Sequence, residues 1–353
     1  MTSYDRVMNT LQRKGIDRLP ADLWATGEVI QSLKEHFRCD DESEVYTKLG
    51  VDKIVWVMAP YGNAEERKDQ QTSLTDAWDV GRKEINFGAG SYMEISTRPL
   101  AGKSTIAEAD DFAWPNPDAF DYEYLASQCR DNGTWVRMLF FISLFEIYCS
   151  IKPLDEALMD LYASEELAHH IIGRIADIQL QYIDRAMAAA GNDIEIVYIS
   201  DDMGMQDRQL IGTEKWELFF RDHIGTIIDK IHSHNKLAFY HTDGSAPEIV
   251  DRLVDIGIDV LNPIQHRCPG MERERLKSLY GDRIVFHGGV ENQQVLPLGT
   301  PADVRREVLR DMETLGAGGG YIVASCHNIQ AGTSIDNILA LYDTVQTYGH
   351  RYL

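Results

Sequence analysis

Short apolar runs alternate with longer amphipathic segments along almost the whole chain, and no other feature constrains the fold as much. The runs are Leu19–Trp24, Lys53–Met58, Thr134–Ile142, Glu195–Ser200, Lys236–His241, Asp259–Ile264, Arg283–Gly288 and Tyr321–Ser325. Runs this continuously apolar suit strands covered on both faces, as in a parallel sheet. Between them the periodicity predicts helices over Leu154–Ala190, Glu214–Ser233, Pro247–Ile256, Pro301–Leu315 and Ile335–Tyr348. "GTPADVRREV" marks one helix start, with Thr300 as N-cap, Pro301 at the first helical position and Asp303 at the third. Strands and helices in this order predict an α/β chain folded as a (β/α)8 TIM barrel rather than an open sheet. Asp76–Thr97 interrupts the order. Two strand-like stretches around the turn "GAG" predict a β-hairpin inserted after the second strand. The Pro-bearing loop Trp114–Asp121 does not read as a boundary, and no repeat or low-complexity tract breaks the chain. Residues 1–353 therefore read as one domain.

Charge excludes some functions. Lys and Arg number 34 against 56 Asp and Glu, a formal net charge of −22, whereas a nucleic-acid surface needs clustered cations. No run of about 18 apolar residues is present to span a membrane. The opening "MTSYDRVMNTLQRKG" lacks the apolar core of a signal peptide. Five cysteines, Cys39, Cys129, Cys149, Cys268 and Cys326, are odd in number and far apart. They form no disulfide framework, and a reducing cytoplasm is the expected location.

In a barrel of this kind the active site is built from loops at the C-terminal ends of the strands. The residues just after each apolar run are therefore the candidates. The fourth run ends in "SDDMGMQ", giving Asp201, Asp202 and Gln206; the fifth ends in "HTDG", giving His241 and Asp243. The sixth gives Asn262 and Gln265, the seventh Glu291, and the eighth Cys326, His327 and Asn328. His241 and Asp243 stand two residues apart after a strand, where alternate positions share a face. His, carboxylate and Cys groups from several strand ends suit a metal such as zinc, and suit metal-free acid–base chemistry equally. Plainer roles exist: Asp243 could cap a helix, and His241 could be a satisfied core histidine. Other histidines read as surface. His232 and His234 lie near a helix end, and His169 and His170 are adjacent on a helix and point apart. "LGAGGG" follows a helix and precedes a strand, the reverse of a dinucleotide fingerprint.

Three stretches, "YHTDGSAPEIVDRLVDIGIDVLNPIQ", "RIVFHGGVENQQVLPLGTPADVRREV" and "GGGYIVASCHNIQAGTSIDNILALYD", resemble the uroporphyrinogen decarboxylase family, as do "YISDDMGMQDRQLIG" and "DAWDVGRKEI". The resemblance is most specific over Glu195–Asp343. It implies a (β/α)8 barrel, often dimeric, hence an expected homodimer, with its cleft at the strand C-termini. The family's decarboxylases work without a cofactor and hold their substrate's carboxylates with arginines after the first strand. The matching stretch here, Leu19–Leu33, has no arginine and carries Glu28, and bidentate Arg recognition is hard to replace. The family's other branch moves methyl groups between a substrate and cobalamin carried by a partner corrinoid protein. Several members bind Zn2+ through an H-x-C motif and a later cysteine. His241 matches the histidine of that motif, Asp243 stands at its cysteine, and His327 falls at the later cysteine with Cys326 one residue off.

The resemblance thus implies a methyltransferase acting on a small methylated substrate. His241, Asp243 and His327 would serve as metal ligands or as acid and base. Asp202, Gln206, Asn262, Gln265, Glu291 and Asn328 would orient the substrate. A cofactor-free decarboxylase of a smaller carboxylated substrate is the alternative, and a non-catalytic binding protein on an enzyme scaffold is a third reading.

Overall fold

The computed structural model describes residues 1–62, 76–86, 88 and 91–353. Strands β1 (Ile54–Val57), β4 (Val136–Ile142), β5 (Ile196–Ser200), β6 (Leu237–His241), β7 (Val260–Asn262), β8 (Val285–His287) and β9 (Tyr321–Ile322) form one parallel, curled sheet in that order. β2 (Gly81–Asn86) and β3 (Ser91–Thr97) pair antiparallel as the expected hairpin after β1; residues 89 and 90 of its turn lie outside the described residues.

Both faces of the sheet are buried, which is why its strands read as unbroken apolar runs. Ile54, Met138, Tyr198, Phe239, Val260, Val285 and Ile322 pack with one another inside the curl. Alternate residues such as Val57, Leu139, Ile199, Tyr240, Leu261 and Phe286 pack against the outer helices. Helix Ser3–Leu11 sends Val7 and Leu11 into the inner cluster and packs against β4 and β9.

The first expected strand, Leu19–Trp24, forms a single bridge rather than a ladder. Ala21 bridges Val323, the Asp22 amide donates to the Val323 carbonyl at 2.9 Å, and the Asp52 amide donates to the Ala21 carbonyl at 2.6 Å. Two local reasons thin its pairing. Pro20 has no N–H to give, and the Asp22 side chain takes the Ile54 amide that a strand carbonyl would otherwise accept.

Other boundaries move for similar reasons. β7 ends at Asn262 because Pro263 follows it. The helix expected over Leu154–Ala190 divides at Ser164 into Leu154–Ala163 and Glu165–Ala190, the second opening on two glutamates that favour a helix N-terminus. The helix expected over Glu214–Ser233 contains a π-turn at Glu217–Arg221. Pro301–Thr314 has the full capping box, with Thr300 and Asp303 satisfying each other's amides.

Candidate active site at the strand C-termini

The loops after β5 and β6 are locked together by two glycines. Gly244 has φ +81°, and a Cβ built there would lie 2.5 Å from the Gly204 carbonyl carbon. Only glycine permits both the dihedral and the approach. The contact is extended by the bridge from Met205 to Ser245 and by the Asp243 amide, which donates to Asp202 Oδ1 at 2.8 Å. Asp202 and Asp243 are thereby held side by side above the end of β6.

His241, the last residue of β6, turns its Nε2 toward them, 3.6 Å from Asp202 Oδ1 and 3.9 Å from Asp243 Oδ2. His327, from the loop after β9, brings its Nε2 to 4.0 Å from Asp243 Oδ2. One ligand atom from each of His241, Asp243 and His327 lies within 4.8 Å of the others. Asp243 Oδ1 is buried without a hydrogen-bond partner, an arrangement that usually marks a site built for something else. Burial pushes the Asp243 carboxyl above its ordinary range; His241 and His327 oppose that shift and Asp202 adds to it. Two imidazole nitrogens and a carboxylate oxygen are a donor set that zinc accepts, so these residues fit the metal that the sequence suggests.

His241 and His327 line a cleft of about 710 Å3. Its floor is aromatic: Trp24, Trp56, Phe140 and Tyr198 pack together with neighbouring ring centroids 4.6–6.1 Å apart. Trp24 also stacks on His241. Among the described residues lining the cleft, Lys53 is the only Lys or Arg, and it is already paired with Asp22 at 2.9 Å. Arg18, just before Leu19–Trp24, is likewise taken, by Asp52 at 2.7 Å.

Glu146, which no sequence pattern singles out, lines the same cleft. Burial, then the charges of Asp202 and Asp201, push its carboxyl up to about 8. Ser200 Oγ donates to Glu146 Oε1 at 3.0 Å. Its position is set by Asp201, whose buried carboxylate accepts from Ser143 Oγ and from the amides of Leu144, Phe145 and Glu146. Asp201 thus caps helix Phe145–Ile151 from the next strand and fixes the first turn that carries Glu146.

The remaining sequence candidates divide. Asp202 and Asn328 line the cleft. Asn262 is fully buried between His241 and His287. Gln265 accepts the Gly244 amide at 2.6 Å, and both it and Gln206 contact the Cys268 thiol. Glu291 directs its carboxylate onto the amides of Gln293, Gln294 and Val295. Cys326 is buried and donates its thiol to the Ile264 carbonyl, and burial pushes its pKa well up, away from the thiolate a metal needs.

Comparison with known proteins agrees with this architecture. The family model "Uroporphyrinogen decarboxylase (URO-D)" matches residues 143–348, more than half of the chain. Uroporphyrinogen decarboxylases of three Coxiella burnetii strains are 21% identical over 204 residues, covering 56% of this chain and 52% of theirs. The chain thus spans about half the length of the curated relatives it matches. A methyltransferase from Methanosarcina mazei has the same fold, with a TM-score of 0.69 at 15% identity over 99% of both chains.

Proposed function

The chain belongs to the uroporphyrinogen decarboxylase family, and from that premise we propose that it is a methyltransferase in a corrinoid-linked demethylation or methyl-transfer route. Its substrate would be a small methylated molecule, and the methyl acceptor a corrinoid carried by a partner protein. The observation that carries this reading is the convergence of His241, Asp243 and His327. The surrounding cleft favours it over porphyrinogen decarboxylation. A substrate bearing several carboxylates needs unpaired cations, and Lys53, the one cation among the described lining residues, is neutralised by Asp22.

His241, Asp243 and His327 would hold a zinc ion, which when bound supplies Lewis-acid polarisation of the heteroatom that carries the methyl group. The protein's own groups do the rest. The bond from methyl carbon to heteroatom would break with its electron pair staying on the heteroatom, and the methyl group would pass to the partner's reduced corrinoid, which would contribute the pair for the new bond. Glu146, held protonated near neutral pH, gives its proton to that heteroatom. The aromatic floor excludes water and fixes the substrate's orientation, so positioning supplies much of the rate. Asp202 and Asn328 would contact the substrate, while Gln206, Gln265 and Glu291 support the loops that frame it. In this reading Leu19–Trp24 completes a closed (β/α)8 barrel, and the chain acts as one domain, as a cytoplasmic homodimer.

The test is elemental analysis of chain purified without chelator, together with methyl transfer from methyl ethers and methylamines to a reduced corrinoid protein. About one zinc per chain is expected, lost in His241→Ala along with at least about 100-fold of the rate. Unchanged turnover in that variant would sink the site assignment. Carbon dioxide released from a carboxylated substrate, with no methyl transfer, would replace it with the decarboxylase reading, in which Glu146 protonates the carbanion.

A further inference from the structure

A continuous line of buried polar groups crosses the inside of the sheet and ends on His241. Lys53 Nζ donates to Asp22 Oδ1 at 2.9 Å. Asp22 Oδ2 lies 3.1 Å from His287 Nε2. His287 Nδ1 lies 2.8 Å from Asn262 Nδ2, and Asn262 Oδ1 lies 2.5 Å from His241 Nδ1. Asp22, Asn262 and His287 have no exposed surface at all.

The direction of every hydrogen bond in this line follows from its first member. Asp22 is held ionised: burial opposes its charge, but the Lys53 ammonium and the hydrogen bond from His287 outweigh it. An ionised carboxylate only accepts, so His287 must carry its proton on Nε2. Burial keeps His287 neutral, which leaves a lone pair on Nδ1, and the Asn262 amide group donates to it. The backbone supplies an independent check. Asn262 Nδ2 also sits 3.3 Å from the His287 carbonyl oxygen, which can only accept, so the amide cannot be turned round. Its oxygen therefore faces His241 and requires a proton on His241 Nδ1. The Nε2 atom keeps its lone pair, and among the described residues no carboxylate comes closer to it than 3.6 Å.

We propose that Asn262, set by Lys53, Asp22 and His287, is a positioning residue that fixes His241 as its Nδ1–H tautomer and presents Nε2 to the cleft. This rests on His241 working in the site proposed above, but not on which reaction the site performs. Partners of this kind fix ring orientation and tautomer for both metal ligands and general bases.

The test reads the tautomer directly, by nitrogen-15 NMR of the histidine rings at a pH where His241 is neutral, with His241→Ala to assign its signals. The wild-type ring is expected to be protonated at Nδ1. Asn262→Leu removes the acceptor, so the ring should move toward the Nε2–H form, and zinc should bind about 10–100-fold more weakly by competition with a chelating dye. Asp22→Asn probes the far end of the line. Lys53 and the amides of Leu23 and Ile54 converge on Asp22 Oδ1, against Trp24 Nε1 and His287 Nε2 on Oδ2, so the new amide oxygen stays with the three donors and its NH2 faces His287 and the Trp24 N–H. That reverses His287, sets two donors against each other at Asn262, and should leave His241 without a single tautomer. Thermal melts check that each variant is folded; where Asn262→Leu is not, the wild-type spectrum and Asp22→Asn decide. A wild-type ring protonated at Nε2 would overturn the proposal. So would folded variants that keep the Nδ1–H form and a zinc Kd within about twofold. A wild-type Nδ1–H ring on a chain that binds no zinc would support the positioning role and remove the metal from the proposed function.

Discussion

Glu146 shows how a residue's surroundings choose its chemistry. An ordinary glutamate is ionised at neutral pH and donates nothing. Here burial, reinforced by Asp202 and Asp201, holds the carboxyl to about 8, so below that pH it is an acid. The sign for the rate follows directly. Turnover should hold up to about pH 8 and then fall roughly tenfold per unit as the proton is lost. Glu146→Gln keeps the shape but cannot donate, so kcat should drop about 100-fold and lose that alkaline limb. A pH–rate profile of both proteins checks this, and an unaltered limb in the variant would assign it elsewhere. The same shift has a stability sign: between its ordinary 4.5 and about 8 the native state binds the extra proton, so this burial costs stability as pH rises through that window. Sequence pattern pointed to His241, Asp243 and His327 because each lies at the end of an apolar run or within two residues of it. Glu146 follows one too, yet it lies between Phe145 and Ile147 in a stretch that reads as more core. Asp22, Lys53 and His287 all lie inside expected strands, where a single polar side chain among apolar neighbours does not stand out.

Elements were legible wherever burial on both faces set the pattern. Each of the seven sheet strands falls inside an expected run, because a strand covered on both sides has no polar alternation to blur it. Ends were less legible, since they depend on single hydrogen bonds such as the Ile54 amide taken by Asp22. The joint between the loops after β5 and β6 could not be read at all, because two glycines far apart in sequence do not announce that they touch. It carries a prediction. Gly244→Ala would force a positive φ on alanine and press its Cβ into the Gly204 backbone, a combination that should cost more than about 2 kcal/mol. Gly225→Ala is the control. It lies within helix Asp222–Ser233 with nothing near its added Cβ and should gain about 0.5–1 kcal/mol from helix propensity. Urea midpoints compare the two. Equal effects would mean the two loops part easily, and that Asp202 and Asp243 are not held together by this contact.

At the scale of the whole molecule, helix Ser3–Leu11 contributes Val7 and Leu11 to the inner core, while the candidate site opens where β6 and β9 end. No helix among the described residues is long and apolar enough to cross a membrane. His241 and Asp243 belong to the end of β6 and its loop, and His327 to the loop after β9, with β7 and β8 between them in the sheet. An ion held by all three would tie together parts of the chain that separate on unfolding. Binding to the native state alone stabilises it by about 2.7 kcal/mol at 100 times Kd. With an unfolding entropy of about 2.1 cal/mol/K per residue, a chain of 353 residues should gain about 3–4 °C in Tm. Calorimetry with and without added zinc, after chelator treatment, measures this. His241→Ala should lose most of the gain, because an Asp–His pair alone holds zinc weakly. Asn262→Leu should lose part of it. A Tm indifferent to zinc in the wild type, or an equal rise in the His241→Ala protein, would show that these three residues are not a metal centre. His241 and Glu146 would then remain as base and acid beside a substrate bound by the aromatic floor alone.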